Sequence, residues 1–319
     1  MSAVLLWAVG GVFVAVVAPS ALAAMLRRGI DAHVGLVLWV ALVVGTITSL
    51  AVPAVLSLLP RHGGVSGIAA VAHQCWAALH RNTPPRVELA IGVVGVVVIV
   101  TAAIRLAYYA RFSARQRRHI HDRHLGLMRI LESDGPDAAD TKSTLWLPVD
   151  TPLAYAVAGT PPLIVASHGL RDRLDPAAMA AVFSHEHAHV RGRHHLLVAV
   201  AEALAYAMPW LPVMRRSPML VRTMVEIQAD NHAVDVHGRD AVRRALTGLR
   251  SHAVPAATLG VACDSVQLRL QRLSTASPPH PGALRTVRVM AAGTAAAVLP
   301  AAPVLALLAA MAFMSCALV

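Results

Sequence analysis

Residues 181–195 read AVFSHEHAHVRGRHH, with five histidines inside eleven positions and a single glutamate, Glu186, among them. Such a cluster can hold a metal, sense pH or lie solvated on a surface. The spacing favours a metal. His185 and His189 are four apart, so on a helix they share one face, one turn from each other. Two imidazoles so placed both reach one Zn²⁺ at about 2.0–2.1 Å. Glu186 is one position further on, about 100° around the helix. It borders the metal without binding it, where a general base must stand to take a proton from water activated there.

Two histidines are too few for a zinc site. Beyond His189, the stretch SPMLVRTMVEIQADNHAVDVHG reads as a helix with Ser217 as cap, Pro218 at its start and Gly238 as stop. Glu226 and Asp230 lie four apart on one face of it. Glu226 completes a His₂Glu set that leaves a fourth zinc position open. Asp230 is placed to accept an N–H from a ligating imidazole and fix its tautomer. A solvated acidic pair is the alternative. The chain has only five glutamates, however, and two of them fall at the base and ligand positions of one site. The expected cofactor is Zn²⁺. The other histidines carry less. His187 points to another face. His194 and His195 follow RGR near the helix end, where positive groups favour the dipole. His119, His121 and His124 form a triplet read as solvated surface, with a second metal or a pH sensor as alternatives.

The elements that must position these groups are legible. Asp175 is the N-cap of the histidine helix and Pro176 its first residue, followed by an alanine-rich body. Ahead of it, 153–159 alternates and 162–170 is apolar and β-rich, with Pro161 and Pro162 between, as in a hairpin or edge pair. An edge strand beside the histidine helix would let an extended peptide add to the sheet. The apolar stretch 196–214 is nearly long enough to cross a bilayer. If it crossed, Glu226 would be separated from His185 by about 30 Å of hydrocarbon. It is therefore expected to be a buried or interfacial helix that turns at Pro209–Pro212.

Composition sets the wider frame. The chain of 319 residues is 56% hydrophobic and 14% charged, against about 25% charged for soluble domains. Four stretches suit membrane spans: about 3–25, 33–59, 87–109 and 290 to the end. Pro19, Pro53, Pro300 and Pro303 lie within them. The net charge of +11 follows loops rather than a nucleic-acid stripe, so no direct nucleic-acid binding is expected. Arg27 and Arg28 mark the first loop as inside. Arg105, Arg111, Arg115, Arg117 and Arg118 mark the end of the third span the same way, as do Arg285 and Arg288 before the fourth. No basic residue precedes the first apolar run, so it reads as an anchor with its N-terminus outside rather than a signal peptide. The expected organisation is a membrane bundle (1–110), a cytosolic zinc domain (111–286) and a fourth span (287–319), in the plasma membrane. Cys75, Cys263 and Cys316 are far apart and make no disulfide framework.

HExxH followed by ExxxD, an apolar helix ending MPWLP between them, and three spans before and one after together resemble the BlaR/MecR-type membrane sensor-transducer metallopeptidases, which are gluzincins. The resemblance implies a mainly α polytopic protein with four transmembrane helices and a gluzincin-like α+β zinc domain with a small edge sheet. It implies zinc on His185, His189 and Glu226, Glu186 as general base and Asp230 behind a ligand. It further implies an endopeptidase whose protein substrate is a winged-helix repressor. The antibiotic sensors of that family carry a penicillin-binding domain after the fourth span. None follows here, so direct β-lactam acylation is not expected. Two rival readings are a housekeeping membrane peptidase and a signalling scaffold with a structural zinc.

Overall fold

A computed structural model describes residues 3–56, 85–132, 144–250 and 259–274. It is mainly helical with one small sheet, and the chain divides into two compact units.

The first unit comprises Met1–Ala107, Leu204–Ser217 and His280–Val319. Helices α1 (Ala3–Arg27) and α2 (Ala32–Leu56) are joined by a turn at Gly29, whose φ of +92° suits a residue without Cβ. Asp31 Oδ1 accepts from the His33 N–H at 2.7 Å. The pair buries Leu22, Leu26, Val34 and Trp39. α1 continues through Pro19, itself buried. The long helix α3 (Pro85–Glu132) begins in this unit. A Cβ on Gly95 would strike Ala54, so glycine permits the close approach of α2 and α3. Val93, Val94, Val97, Val98 and Ile104 of α3 are exposed.

Ala32–Ala51 and Gly92–Leu127 are long and apolar enough to cross a membrane. Helix α1 is 25 residues long, and its sequence is apolar up to Arg27. The expected fourth span lies outside the described residues.

The stretch 196–214 does turn. Helix α6 (His194–Ala207) ends before Met208–Leu211, and α7 (Pro212–His237) follows. At this turn, Trp39 Nε1 donates to Ser217 Oγ at 2.7 Å and Arg216 donates to Ser20 Oγ at 2.9 Å. Ser217 is therefore not the helix cap expected from sequence. α7 starts earlier, at Pro212, and runs through Pro218, while Ser217 Oγ donates back to Val213 O at 2.7 Å. The expected stop at Gly238 holds, with φ +79°.

The second unit comprises Tyr108–Ala203 and Pro218–Pro279. Its sheet has the order β1 (Thr144–Leu147), β3 (Leu163–Ser167), β2 (Ala154–Val157). β2 and β3 are antiparallel, pairing Val157 with Leu163 and Tyr155 with Val165, as the hairpin reading requires. β1, not anticipated from sequence, pairs with β3 in parallel, Leu145 facing Val165. One sheet face (Leu145, Val157, Leu163, Val165) packs on Leu125 of α3. On the other, Ala166, Trp146 and Ala154 meet Leu170, Ala178, Val182, Phe183 and Ala245. These come from the short α4 (His168–Arg173), α5 (Pro176–Arg191) and α8 (Arg239–Arg250). A further cluster joins Ala181 and Ala233 to Val242 and Leu246, with Leu270 and Leu273 of α9 (Leu259–Ser274) packed against it. Each buried Leu or Val contributes about 1.5–3 kcal/mol.

The histidines of the triplet at 119, 121 and 124 do not share one environment. His119 is exposed, and His124 Nε2 lies 3.0 Å from the Tyr155 hydroxyl. His121, expected on the surface, is only 7% exposed. Its ring covers Gly159 so closely that a Cβ there would overlap it. Among the described residues neither of its nitrogens has a hydrogen-bond partner.

A candidate metal centre

The histidine helix α5 starts as its sequence dictates. Asp175 accepts at 3.0 Å from the N–H groups of Ala177 and Ala178, with Pro176 in the first turn. Asp175 also receives the Arg244 side chain at 2.8 Å, which ties α8 to the same corner. The strand before it is closed by Ser167. That hydroxyl accepts from Leu153 N–H and Leu170 N–H and donates to Thr151 O.

α5 and α7 bring His185, His189 and Glu226 together, with one ligand atom of each within 4.8 Å of the others. His185 Nε2 and His189 Nε2 are 3.0 Å apart. Glu226 Oε2 is 3.4 Å from the first and Glu226 Oε1 is 3.4 Å from the second. Tetrahedral ligands at about 2.0–2.1 Å from zinc stand roughly 3.3 Å apart. The triangle therefore fits one such ion.

Behind the triangle each histidine meets a second group. His185 Nδ1 is 3.0 Å from Asp230 Oδ1, the partnership expected from sequence. His189 Nδ1 is 2.9 Å from His194 Nδ1, which was not expected. α5 stops at Arg191, Gly192 caps it, and Arg193 turns the chain with φ +48°. His194 thus opens α6 instead of trailing the histidine helix, and is 3% exposed.

Arg269 of α9 was not anticipated at all. Its Nε and Nη2 donate to Asp230 at 2.6 and 2.7 Å, a two-pronged pair. Its Nη1 is 2.9 Å from Glu226 Oε2. One of 27 arginines, 39 residues past Asp230, gives no spacing signal in the sequence.

These contacts set the charges. Burial lowers the basicity of His185, but the Asp230 and Glu226 carboxylates outweigh it and push its pKa up to about 9 without metal. Burial dominates at His189 and takes it down to about 4, leaving a neutral ring. Glu226 is raised by burial, yet His185 and Arg269 bring it to about 2. Asp230 is held low in spite of burial, first by Arg269 and then by His185.

Glu186 stands apart. Burial pushes its carboxyl up, His185 opposes this and Glu226 reinforces it. A carboxylate raised in this way is a stronger base than an ordinary one. The backbone of Ala156, on β2, hydrogen-bonds to Glu186. Ser167 N–H donates to Leu153 O at 3.0 Å, so residues 153, 155 and 157 turn their backbone groups toward β3. Ala154 and Ala156 therefore turn theirs outward along the sheet edge, beside Glu186.

The arrangement can hold a divalent metal on three protein atoms, with the Glu186 carboxylate near enough to interact with His185 and Glu226. No curated protein and no solved structure matches the chain. The model of peptidase family M48 matches residues 115–292, more than half of the sequence and the whole of the stretch that builds the site. The chain belongs to peptidase family M48, whose members are generally zinc metallopeptidases.

Proposed function

We propose that this chain is a multi-pass membrane zinc endopeptidase. Its zinc would be held by His185, His189 and Glu226, with Glu186 as general base and Asp230 orienting His185. The supporting observation is the triangle of ligand atoms 3.0–3.4 Å on a side with Glu186 and a strand edge beside it. When bound, zinc brings the pKa of water toward about 7 and polarises the scissile carbonyl.

The protein's own part follows from the contacts. Asp230 holds the His185 ring so that Nε2 is turned to Glu226 and His189, the residues that would share the ion. Arg269 balances the two carboxylates of α7. Glu186 takes the proton of the attacking water and returns it to the leaving amine. The outward backbone groups of β2 align an extended peptide as an added strand. In this reading the zinc domain, residues 111–286, is cytosolic, the N-terminus is outside, and four spans anchor the protein in the plasma membrane.

The proposed substrate is a cytosolic winged-helix repressor, cleaved as the output of signalling. This rests on the resemblance of the span order to the BlaR/MecR-type transducers. Glu186→Gln tests the chemistry. It keeps bound zinc while cleavage falls at least about 10²-fold. Comparing proteomes of wild-type and Glu186→Gln cells tests the substrate. One cut repressor supports the reading, whereas broad stabilisation of misfolded membrane proteins replaces it with a housekeeping role. Unchanged output in Glu186→Gln points to a structural zinc.

A further inference from the structure

We infer that His194 is a positioning residue for the metal centre: from the first turn of α6 it fixes the ring of His189, as Asp230 fixes the ring of His185. The inference rests on reading His185, His189 and Glu226 as zinc ligands.

His189 presents Nε2 to the other two ligand atoms and Nδ1 to His194, at 2.9 Å. A neutral imidazole that gives Nε2 to a metal must carry its proton on Nδ1. That N–H points at His194 Nδ1, which therefore acts as the acceptor and carries its own proton on Nε2. The two rings meet edge to face, with centroids 4.8 Å apart and planes at 88°, and their Nδ1 atoms stand at hydrogen-bond distance. His194 also hydrogen-bonds the side chain of Gln228, on α7 between Glu226 and Asp230. The ring is thus held from the helix that supplies the third ligand, and it is 3% exposed, so water does not stand in for it.

The chain makes room for this ring. A Cβ on Gly192 would overlap His194 Nε2 and stand 2.7 Å from its Cδ2. Gly192 has an ordinary helical φ of −76°, so its backbone does not call for glycine. The neighbouring imidazole does.

Outer partners of metal-ligating histidines typically contribute 10–100-fold to metal affinity. The test is zinc affinity of the full-length protein in detergent, by competition with a chromophoric chelator, with the visible spectrum of the Co²⁺-loaded form as a second readout. His194→Phe keeps the ring and removes the acceptor. It weakens zinc binding 10–100-fold and alters the Co²⁺ bands. His194→Asn returns an acceptor near the position of Nδ1 and restores affinity to within a few-fold, which a purely packing role would not do. Gly192→Ala displaces the ring without removing it and weakens zinc binding as well. This keeps the test open if His194→Phe does not fold. Wild-type affinity in folded His194→Phe, or in Gly192→Ala where His194→Phe is unfolded, overturns the inference alone. A wild-type protein that binds no zinc overturns the ligand reading, and this inference with it.

Discussion

Arg269 and His185 carry most of the electrostatic burden of the site. Arg269 is 12% exposed and faces Asp230, itself 6% exposed. Removing one partner of such a buried pair costs about 3–5 kcal/mol. Arg269→Met should therefore destabilise the second unit by that order in chemical denaturation and, on the proposed ligand set, loosen zinc by freeing Glu226. His185 gives a pH signature. Its pKa rises from 6.5 unfolded to about 9 in the metal-free fold. The stabilisation it gives is complete below pH 6.5 and is lost as pH rises through 9. Thermal melts of the metal-free protein should fall across that window. Zinc must displace the same proton, so its apparent affinity should strengthen over the same range, with about one proton released per ion in calorimetry across buffers. An affinity flat from pH 6.5 to 9 rejects the assignment. That His185, His189 and Glu226 come together was legible in sequence because HExxH is contiguous and helical spacing makes Glu226 and Asp230 a pair. His194 was misjudged because the helix breaks at Gly192, resetting the face count two residues before it. Arg269 was invisible because nothing in a sequence links position 269 to 230.

At the scale of elements, β2 and α3 carry the testable features. The sheet was half read: the hairpin of β2 and β3 follows from alternation and the prolines between them. β1 was missed because a four-residue strand that pairs in parallel has no local turn to announce it. The start of α7 was misplaced because Pro218 looks like a first-turn proline, while Ser217 is engaged by Trp39 and its own helix carbonyl. His121 sits in the α3–sheet contact with both nitrogens unpartnered among the described residues. A buried polar group left this way costs about 1–3 kcal/mol. His121→Leu should raise the unfolding free energy from chemical denaturation by about 1–2 kcal/mol. A fall would show that the imidazole meets a need the helix–sheet contact does not reveal.

For the whole molecule, the charge pattern makes a claim that chemistry on intact cells can check. The loop of about 60–86 is expected outside, and the segment after the third span inside. A membrane-impermeant maleimide should label native Cys75 in whole cells, given access to it, and should leave a cysteine at Arg118 untouched until the membrane is opened. Labelling of position 118 first would invert the topology. The apolar stretches were plain in composition, since windows of that length need no long-range information. Which of them pair, and how closely, was not: the tight approach at Gly95 and Ala54 depends on packing between distant segments.

The strand beside Glu186 is four residues long, and only Ala154 and Ala156 face outward. In the proposed enzyme that is a gauge with two notches. It feels main chain and is almost blind to side chains, and a folded helix cannot lie along it. Cut sites would then be wherever a polypeptide can unravel a few residues within reach of the bilayer surface. Selectivity would come from delivery: from what tethers a victim nearby, and for how long.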